Sequence, residues 1–453
     1  MWLLPSIACA PGNQPSAARD AHAPRPPSSG PPTREPQTVR PASASVSASP
    51  ATAPKPLPVP PALPDKLCPS MQGPYASVSP DGALVALLGL TEVQIRDTET
   101  GKLRGILPYP GLNPNLAWFP DSRRLAIPEG THFTLWNRST ASQTRIPVES
   151  GVSAVRPSPD GSRLLALGKN GVTLFHVETE KSLAQVDLKL LPGSGNGYPQ
   201  GQWVASGKVF ALGDWSRKII RIYDGMTGAF LREVNRADLL VSTMKPSPSK
   251  DHLAVAEASA KIEIIDAHTG ELVSPSRFLG TASGSLQSFA WDPAGTRIAF
   301  LSSGATVELG IWNVYTYRII SLGYYPSADS ISWNNHGTRI GIWSRSQGIS
   351  ILDVENVDAE DLAARAGSDK GRVLFPSEGQ AFDGVWAPDM TAVLKTYDKR
   401  WEKPLPPDYL DGRLEMVDID TNRERFRCPT REPLVDEPDA KPQKASSKRK
   451  RKS

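Results

Sequence analysis

Ser79-Pro80-Asp81-Gly82 is the segment of the sequence that decides the fold, because copies of it recur along the chain. In a turn of this kind Pro pre-sets φ, Asp accepts hydrogen bonds from the backbone, and Gly accepts a positive φ. A short apolar run typical of a β-strand follows each copy, as in Leu84-Val85-Ala86-Leu87. The other copies are Phe119-Pro120-Asp121-Ser122, Ser158-Pro159-Asp160-Gly161, Ser247-Pro248-Ser249-Lys250, Asp292-Pro293-Ala294-Gly295, Asn334-Asn335-His336-Gly337, Ala387-Pro388-Asp389-Met390 and the degenerate Ala205-Ser206-Gly207.

A second marker recurs in the same phase, an Asp or Asn that follows a hydrophobic residue in every copy except the first, where it follows Arg96. Three copies continue as Asp-x-x-Thr-Gly and end at Gly101, Gly228 and Gly270, and Asn422 replaces Gly in the last copy. Asn is the next most tolerant residue of a left-handed conformation, so one hairpin turn is predicted in each case. The marker falls at Asp97, Asn137, Asp224, Asp266, Asn313, Asp353 and Asp418, with Val177 in the remaining unit.

A third marker is a Trp two residues before the turn proline or its equivalent. It is present in five of the eight units, at Trp118, Trp203, Trp291, Trp333 and Trp386. A unit of about 40–45 residues with four short strands has the length of a β-propeller blade. We therefore expect an all-β fold over residues 67–430, a propeller of eight four-stranded antiparallel blades, with seven blades as the alternative. Periodic recurrence favours packing between blades over ligand binding for the Trp residues.

These units resemble WD-repeat propellers, with some likeness to the TolB-like blades that open with a Ser-Pro-Asp-Gly turn. Trp136-Asn137 and Trp312-Asn313 stand close to the Trp-Asp dipeptide that names the WD family. The Gly-His pair that opens many WD units is absent, so the resemblance does not imply the family's His-Asp network. Because such propellers serve many roles, the resemblance implies a fold and leaves the function open.

The two ends of the chain differ in composition from this array. Residues 1–66 contain 17 prolines among Ala and Ser, and we expect a disordered linker there. Residues 431–453 end in seven Lys or Arg within the last thirteen residues and are predicted to be a disordered basic tail. No aromatic residue interleaves with the tail's charges, so no specific nucleic-acid binding is expected. The formal net charge of +4 thus conceals a mildly acidic remainder.

Cys9 follows Ser6-Ile7-Ala8, which resembles the end of a bacterial lipoprotein signal. On this interpretation the protein is exported, Cys9 is lipidated, and the linker tethers the propeller to a membrane. Neither a basic segment nor a full apolar segment precedes Cys9, so a chance Cys and a cytoplasmic protein form the alternative.

Cys68 and Cys428 flank the array almost symmetrically, and each precedes a Pro. In a closed ring these segments would be neighbours, so we expect a Cys68–Cys428 disulfide that joins the ends of the array in an oxidising compartment. Unrelated thiols are the alternative.

The sequence contains no motif of a metal site or a nucleophilic enzyme. None of the six His has metal-ligand spacing. Gly193-Ser194-Gly195-Asn196-Gly197 lacks the Lys of a phosphate loop and is interpreted as a flexible loop. We therefore expect no cofactor and no metal.

Two functions stay open at this stage. The first is a non-catalytic scaffold that binds a protein partner through loop aromatics at Tyr198, Phe382, Trp401 and Tyr409. The second is an exported propeller enzyme, a hydrolase, a lyase or a quinoprotein-like enzyme, whose acids and His would converge on the central funnel. The sequence favours the scaffold, since it shows no such set of residues.

Overall fold

Short antiparallel strands, β1 to β32, make up the regular structure in the described part of the computed structural model of this chain. The structure describes residues 62–64, 68, 76–89, 91–109, 115–187, 200–214, 218–235, 241–257, 259–279, 285–303, 307–325, 328–344, 348–354, 372–375, 381–386, 388–397, 413–421 and 423–429. Over these ranges, no helix has the length and hydropathy needed to cross a bilayer. Residues 357–367, which read as a short helix in the sequence, lie outside the described ranges.

Four consecutive strands form each sheet in chain order, and there are eight sheets, so the predicted eight-bladed architecture is confirmed. The fourth unit, whose turn is degenerate, and the eighth, which carries an insertion, both form complete sheets. Blades 1 to 4 are built from β1 (Ala76–Val78), β2 (Leu84–Leu88), β3 (Glu92–Asp97), β4 (Leu103–Pro108); β5 (Ala117–Trp118), β6 (Arg124–Pro128), β7 (Gly130–Asn137), β8 (Gln143–Val152); β9 (Ala154–Pro157), β10 (Arg163–Leu167), β11 (Gly171–His176), β12 (Lys181–Asp187); and β13 (Gln200–Trp203), β14 (Val209–Asp214), β15 (Ile219–Asp224), β16 (Phe230–Asn235). Blades 5 to 8 are built from β17 (Val241–Pro246), β18 (His252–Glu257), β19 (Lys261–Asp266), β20 (Leu272–Phe278); β21 (Ser285–Trp291), β22 (Arg297–Ser303), β23 (Val307–Asn313), β24 (Ile319–Tyr324); β25 (Ala328–Trp333), β26 (Arg339–Ser344), β27 (Gly348–Asp353), β28 (Arg372–Phe375); and β29 (Ala381–Trp386), β30 (Ala392–Tyr397), β31 (Arg413–Asp418), β32 (Glu424–Pro429).

The second strand of a blade is buried on both faces, which explains why its sequence is a continuous apolar run. In β2, Leu84, Ala86 and Leu88 pack in a cluster shared with blade 2, whereas Val85 and Leu87 pack in a cluster shared with blade 8. Each fully buried Leu or Val contributes about 1.5–3 kcal/mol of stability. Because the two faces serve two different neighbours, a blade is stabilised only inside the array.

Hydrophobic clusters occupy all eight spaces between neighbouring blades, so the blades form a closed ring. The cluster that closes the ring joins Val85 and Leu87 of blade 1 to Met416 and Phe426 of blade 8, and it includes Cys68. The first strands of neighbouring blades contact one another, which places these strands nearest the axis and the fourth strands on the outer edge.

The connections fall at two opposite ends of the ring because the strands alternate in direction. Turns between first and second strands (AB turns) and between third and fourth strands (CD turns) share one end, which we call the turn face. The other connections share the opposite end, the loop face. Neighbouring AB turns contact one another on the turn face: the N–H of Asp81 donates to Ser122 Oγ at 2.9 Å, and the N–H of Asn335 donates to the carbonyl of Pro388 at 2.7 Å.

The predicted turns form as expected. In the AB turn of blade 1, Gly82 has a φ of 73° and donates its N–H to the carbonyl of Ser79 at 2.8 Å. In the CD turn of blade 4, Asp224 Oδ1 accepts the N–H and the hydroxyl of Thr227, both at 2.8 Å. The hydroxyl of Thr227, followed by the backbone N–H groups, lowers the pKa of Asp224 below its ordinary value.

Gly228 ends this CD turn, and two independent constraints favour glycine there. Its φ is 71°, and a Cβ added to it would lie 2.4 Å from Ala184 Cβ on the outer strand of blade 3. Gly101 against Phe426 and Gly270 against Val234 repeat the arrangement between other pairs of blades. The Gly of the Asp-x-x-Thr-Gly marker therefore allows each CD turn to pack closely on the preceding blade.

Candidate functional site

In four blades the Trp marker joins the blade to the one before it. The indole N–H groups of Trp118, Trp203, Trp291 and Trp333 donate to backbone carbonyls on the first strand of the preceding blade, at 2.9, 2.9, 3.2 and 3.1 Å. Trp118, Trp203 and Trp291 also belong to the hydrophobic clusters between blades. The expected packing role is confirmed for these residues, so they are not available to a ligand.

The first strands, which surround the axis, carry few groups that could catalyse a reaction. Their described side chains are Ala, Ser, Gln, Thr and apolar or aromatic residues, together with the half-buried cations Arg156 and Lys245 and one acid, Asp329. His is absent from the described first strands. Throughout the described segments no group of three or more His, Cys, Asp or Glu is placed to hold a metal ion.

A cluster of charged groups on blade 2 contains a His, but it lies away from the axis. His132 Nε2 lies 2.7 Å from Glu129 Oε2, and the Glu129 carboxylate also accepts hydrogen bonds from Thr134 and Arg145. Glu129 lies between the second and third strands of the blade, and Arg145 is on the fourth. This arrangement is an ion-pair network that stabilises the β7–β8 hairpin, and it does not face the funnel that an enzyme would use.

A polar cleft of ≈ 420 Å³ lies between blades 2 and 3 on the turn face. Asp121, Asp160 and Glu178 line it together with Arg123 and Arg124. Asp121 pairs with Arg124 within the cleft, at 3.3 Å. Opposite charges are thus mixed within one small volume, which does not select a ligand of either sign.

Seven of the eleven exposed large apolar side chains of the described residues lie along the outer edge of the turn face, over blades 4, 5 and 6. We call this set the outer strip, and its residues are 40–63% exposed: Met226, Phe230, Leu231, Leu272, Tyr315, Tyr317 and Ile319. Most are the first residues of an outer strand, and the others belong to a CD turn. These residues were not identified from the sequence. The feature that could have identified them is an apolar residue directly beside the CD turn in three consecutive units.

Side chains beside the outer strip join the blades that carry it. The guanidinium of Arg232 in blade 4 donates to the carbonyl of Thr269 in the CD turn of blade 5 at 2.8 Å. Arg277 of blade 5 lies 5.8 Å from the ring centroid of Tyr317 in blade 6. The phenol of Tyr315 reaches His252 Nδ1 in blade 5 at 3.3 Å.

An aromatic row connects the outer strip to the axis through blade 4. Trp203 contacts Phe210, Phe210 stacks on Tyr223, and Tyr223 contacts Phe230, with centroid distances of 5.4, 5.2 and 5.8 Å. One residue comes from each strand of the blade, from the innermost to the outermost. Such aromatic pairs hold each other in fixed orientations, so Phe230 is an exposed ring on a rigid support.

The partner-binding residues predicted from the sequence fall mostly outside the described residues. This applies to Tyr198, Trp401 and Tyr409 and to the side chain of Phe382, whose backbone belongs to β29. Residues 188–199 connect β12 to β13, and residues 398–412 connect β30 to β31. Both connections begin and end on the loop face, at the opposite end of the ring from the outer strip.

Cys68 is disulfide-bonded and 2% exposed, within the cluster that joins blades 1 and 8. Cys428 belongs to β32 of blade 8, where its backbone pairs with Leu414 of β31. The side chain of Cys428, like all of Cys9, lies outside the described residues. The pairing of Cys68 with Cys428 therefore stays a prediction.

Comparisons with known proteins agree with the fold. No protein-family model and no curated protein matches the chain. The chain is similar to a crystal structure of a eukaryotic initiation factor, with a TM-score of 0.52 and 16% identity over 78% of this chain and 87% of that one. It also resembles the Cps50 (Swd1) β-propeller domain of Myceliophteria thermophila (TM-score 0.49, 16% identity, 64% and 99% covered) and the Kuenenia stuttgartiensis hydrazine synthase (0.45, 16%, 70% and 95%). At 16% identity the likeness to the initiation factor shows the fold alone, and it agrees with the eight four-stranded sheets: the chain is a β-propeller.

Proposed function

We propose that this protein is a non-catalytic propeller scaffold that binds a protein partner and works outside the cytoplasm. The outer strip is the observation that carries the proposal. Seven large apolar side chains on three consecutive blades are 40–63% exposed, and contacts of Arg232 and Arg277 join the blades that carry them. Contiguous apolar surface on a soluble domain is costly and marks interaction sites.

The composition of the outer strip suits a protein partner better than a small molecule or a nucleic acid. It combines Phe, Tyr, Met and Leu with the guanidinium groups of Arg232 and Arg277, and aromatic residues and Arg are enriched among residues that dominate binding energy. The strip follows the outer edge of the ring. Phe230, fixed by the aromatic row of blade 4, is the anchor expected to contribute most.

A second contact through the loop face is part of the proposal. Tyr198, Phe382, Trp401 and Tyr409 belong to connections or strand ends on that face. They would engage a partner independently of the outer strip, because the two surfaces lie at opposite ends of the ring.

Export is supported by the disulfide of Cys68, since disulfides persist mainly in oxidising compartments. We assign Cys428 as its partner because Cys68 packs in a cluster with Met416 and Phe426. Met416 is on β31 and Phe426 on β32, the two strands of the hairpin that contains Cys428. Cys9 is then left as the lipidated residue that tethers the protein to the cell envelope.

Binding through the outer strip is tested by using the wild type and each variant as bait and comparing the proteins that they capture. Phe230→Ser and Tyr317→Ser remove rings that are 56% and 41% exposed. Ile106→Ser is the matched control, an exposed apolar residue on the outer strand of blade 1. We expect both strip variants to lose, and the control to keep, the proteins captured by quantitative mass spectrometry from envelope fractions. Equal capture by all three variants would contradict the strip as the binding surface.

Export and anchoring are tested separately by a Cys9→Ala variant. Wild-type protein should fractionate with membranes, and the variant should be released into the soluble envelope fraction. Wild-type protein found only in the cytoplasm would refute export, and a variant that stays with membranes would refute lipidation at Cys9.

A further inference from the structure

Two cations occupy equivalent positions on the first strands of blades 3 and 5. Arg156 and Lys245 each stand three residues before the proline of an AB turn, in the matching segments Arg156-Pro157-Ser158-Pro159 and Lys245-Pro246-Ser247-Pro248. Equivalent register places them at the same height along the axis, close to the turn face. The equivalent residue of blade 4, between them, is Gln202, and the other described positions of this tier are Ser77, Ala117, Ala290 and Ser332.

The strand register shows that the charged group of Lys245 faces the axis. Its ammonium donates to the carbonyl of Phe289 at 2.6 Å. Hydrogen-bonded and non-hydrogen-bonded pairs alternate along the ladder of β21 and β22. Asp292 donates its N–H to the carbonyl of Arg297, so the pair three positions away, Phe289 and Phe300, is not hydrogen-bonded. The carbonyl of Phe289 therefore points away from β22, toward the open edge of the innermost strand.

The same reasoning places the guanidinium of Arg156. Its Nη1 donates to the carbonyl of Val155 at 2.9 Å. On the ladder of β9 and β10, Ser158 donates its N–H to the carbonyl of Arg163. The pair of Val155 and Ala166 lies three positions away, so it is not hydrogen-bonded. The carbonyl of Val155 thus also points to the axial edge, and both cationic groups lie along the channel.

Neither cation has a carboxylate partner among the described residues. Their hydrogen bonds go to neutral carbonyls, and Lys245 in addition lies 4.8 Å from the ring centroid of Phe289. Burial lowers the pKa of both groups. A half-buried cation without a counter-charge costs stability, so two of them at one height call for a function.

Most acids near this end of the channel have partners of their own. Asp81, Asp121, Asp160 and Asp292, on the AB turns, pair with Arg138, Arg124, Arg163 and Arg297. On two other AB turns, Asp251 is hydrogen-bonded to His268, and Asp389 accepts hydrogen bonds from Thr391. Asp329 lies on the first strand of blade 7, four residues from the turn-face end of that strand and nearer the loop face. At the height of Arg156 and Lys245 the described side chains of the first strands include no acid, so their charge there is positive.

We propose that the turn-face end of the axial channel is a binding site for a small doubly charged oxyanion, held by Arg156 and Lys245 with the amide of Gln202 between them. A guanidinium and an ammonium together supply charge-assisted hydrogen bonds to carboxylate or phosphate oxygens. This site is separate from the outer strip, so its failure would leave the proposed scaffold function standing.

Two Trp indoles report on this site, and two others supply an internal control. Trp203 donates to the carbonyl of Arg156 and Trp291 to that of Lys245, whereas Trp118 and Trp333 donate to the carbonyls of Ser77 and Ala290, which carry no charge. Full-length protein labelled with ¹⁵N-Trp is titrated with inorganic phosphate and, separately, with succinate. We expect the indole signals of Trp203 and Trp291 to shift with saturation, and those of Trp118 and Trp333 to stay in place.

Variants make the assignment specific. Arg156→Gln and Lys245→Met should each weaken binding about tenfold, the size expected for one charge-assisted hydrogen bond. Lys102→Met and Arg423→Gln, exposed cations elsewhere on the turn face, should leave it unchanged. Saturation by phosphate alone or by succinate alone identifies the oxyanion class. Equal shifts of all four indoles, no saturable shift with either probe, or unchanged affinity in both channel variants would overturn the proposal.

Discussion

Replacing Gly228 by Ala tests whether close packing of a CD turn on the preceding blade holds the ring together. Two penalties act at this position. The φ of 71° places an Ala in the left-handed region, which costs about 1–2 kcal/mol. The added Cβ would lie 2.4 Å from Ala184 Cβ, which has no flexible side chain to move away, and overpacking of this kind costs about 1–3 kcal/mol. The lower entropy of unfolded Ala returns part of this, so we expect a net loss of about 2–4 kcal/mol.

Two further variants separate the backbone penalty from the packing penalty. Gly130 has a φ of 86° and no atom within 4 Å of an added Cβ, so Gly130→Ala should lose only about 1 kcal/mol. The decisive comparison adds Ala184→Gly to Gly228→Ala. In that double variant the next atoms, Leu174 Cδ2 and Ala184 Cα, lie at 3.7 and 3.8 Å, an ordinary contact.

Urea unfolding followed by circular dichroism and Trp fluorescence measures the four corners of this cycle. We expect Gly228→Ala and Ala184→Gly to be coupled favourably by about 1–3 kcal/mol, because the second change removes the clash created by the first. Additive effects, with no coupling beyond about 0.3 kcal/mol, would refute the close approach of blades 3 and 4 at this turn.

Three further outcomes are expected. Peptide mapping without reduction should link Cys68 to Cys428, and Cys68→Ser should cost about 3–5 kcal/mol of stability, whereas a link to Cys9 would contradict the pairing. Trp333→Phe removes the hydrogen bond to the preceding blade and should cost at least about 1 kcal/mol in urea unfolding, and an unchanged midpoint would argue against that bond. Hydrogen bonds from Thr227 hold the pKa of Asp224 below 3.8, so the contribution of Asp224 to folding stability is complete above that pH and is lost as the pH falls through the lower folded pKa. Asp224→Asn keeps the hydrogen-bond acceptor and should reduce the loss of stability at acid pH. An unchanged loss of stability at acid pH would count against this role.

The ring could be predicted from the sequence because its determinants are local and repeated. A Pro-Asp-Gly turn and an Asp-x-x-Thr-Gly turn each form through hydrogen bonds within a few residues, so their residue types reveal them wherever they occur. Eight copies in one phase then fix the length of a unit. The spacing favoured eight blades over seven, and the structure has eight, since even the unit with the degenerate Ala205-Ser206-Gly207 turn forms a complete sheet.

The candidate sites depend on position in the ring, which residue types do not show. Phe230 and Leu231 read as ordinary strand residues, and only their place at the start of an outermost strand leaves them exposed. Arg156 and Lys245 did leave a signal, since both precede a Pro-Ser-Pro segment. That signal acquires meaning only when the register places both charged groups on the open edge of the innermost strand.

The closing cluster between blades 1 and 8 has a consequence for protein engineering. An open array of repeats has two terminal units that need special sequences, whereas a ring has none, because every unit has a neighbour on both sides. New chain ends could therefore be introduced between other blades, with the present ends joined by a linker, and each such circular permutant should reach the same ring. Deleting one unit, by contrast, would remove two interfaces at once and leave the two faces beside the gap exposed.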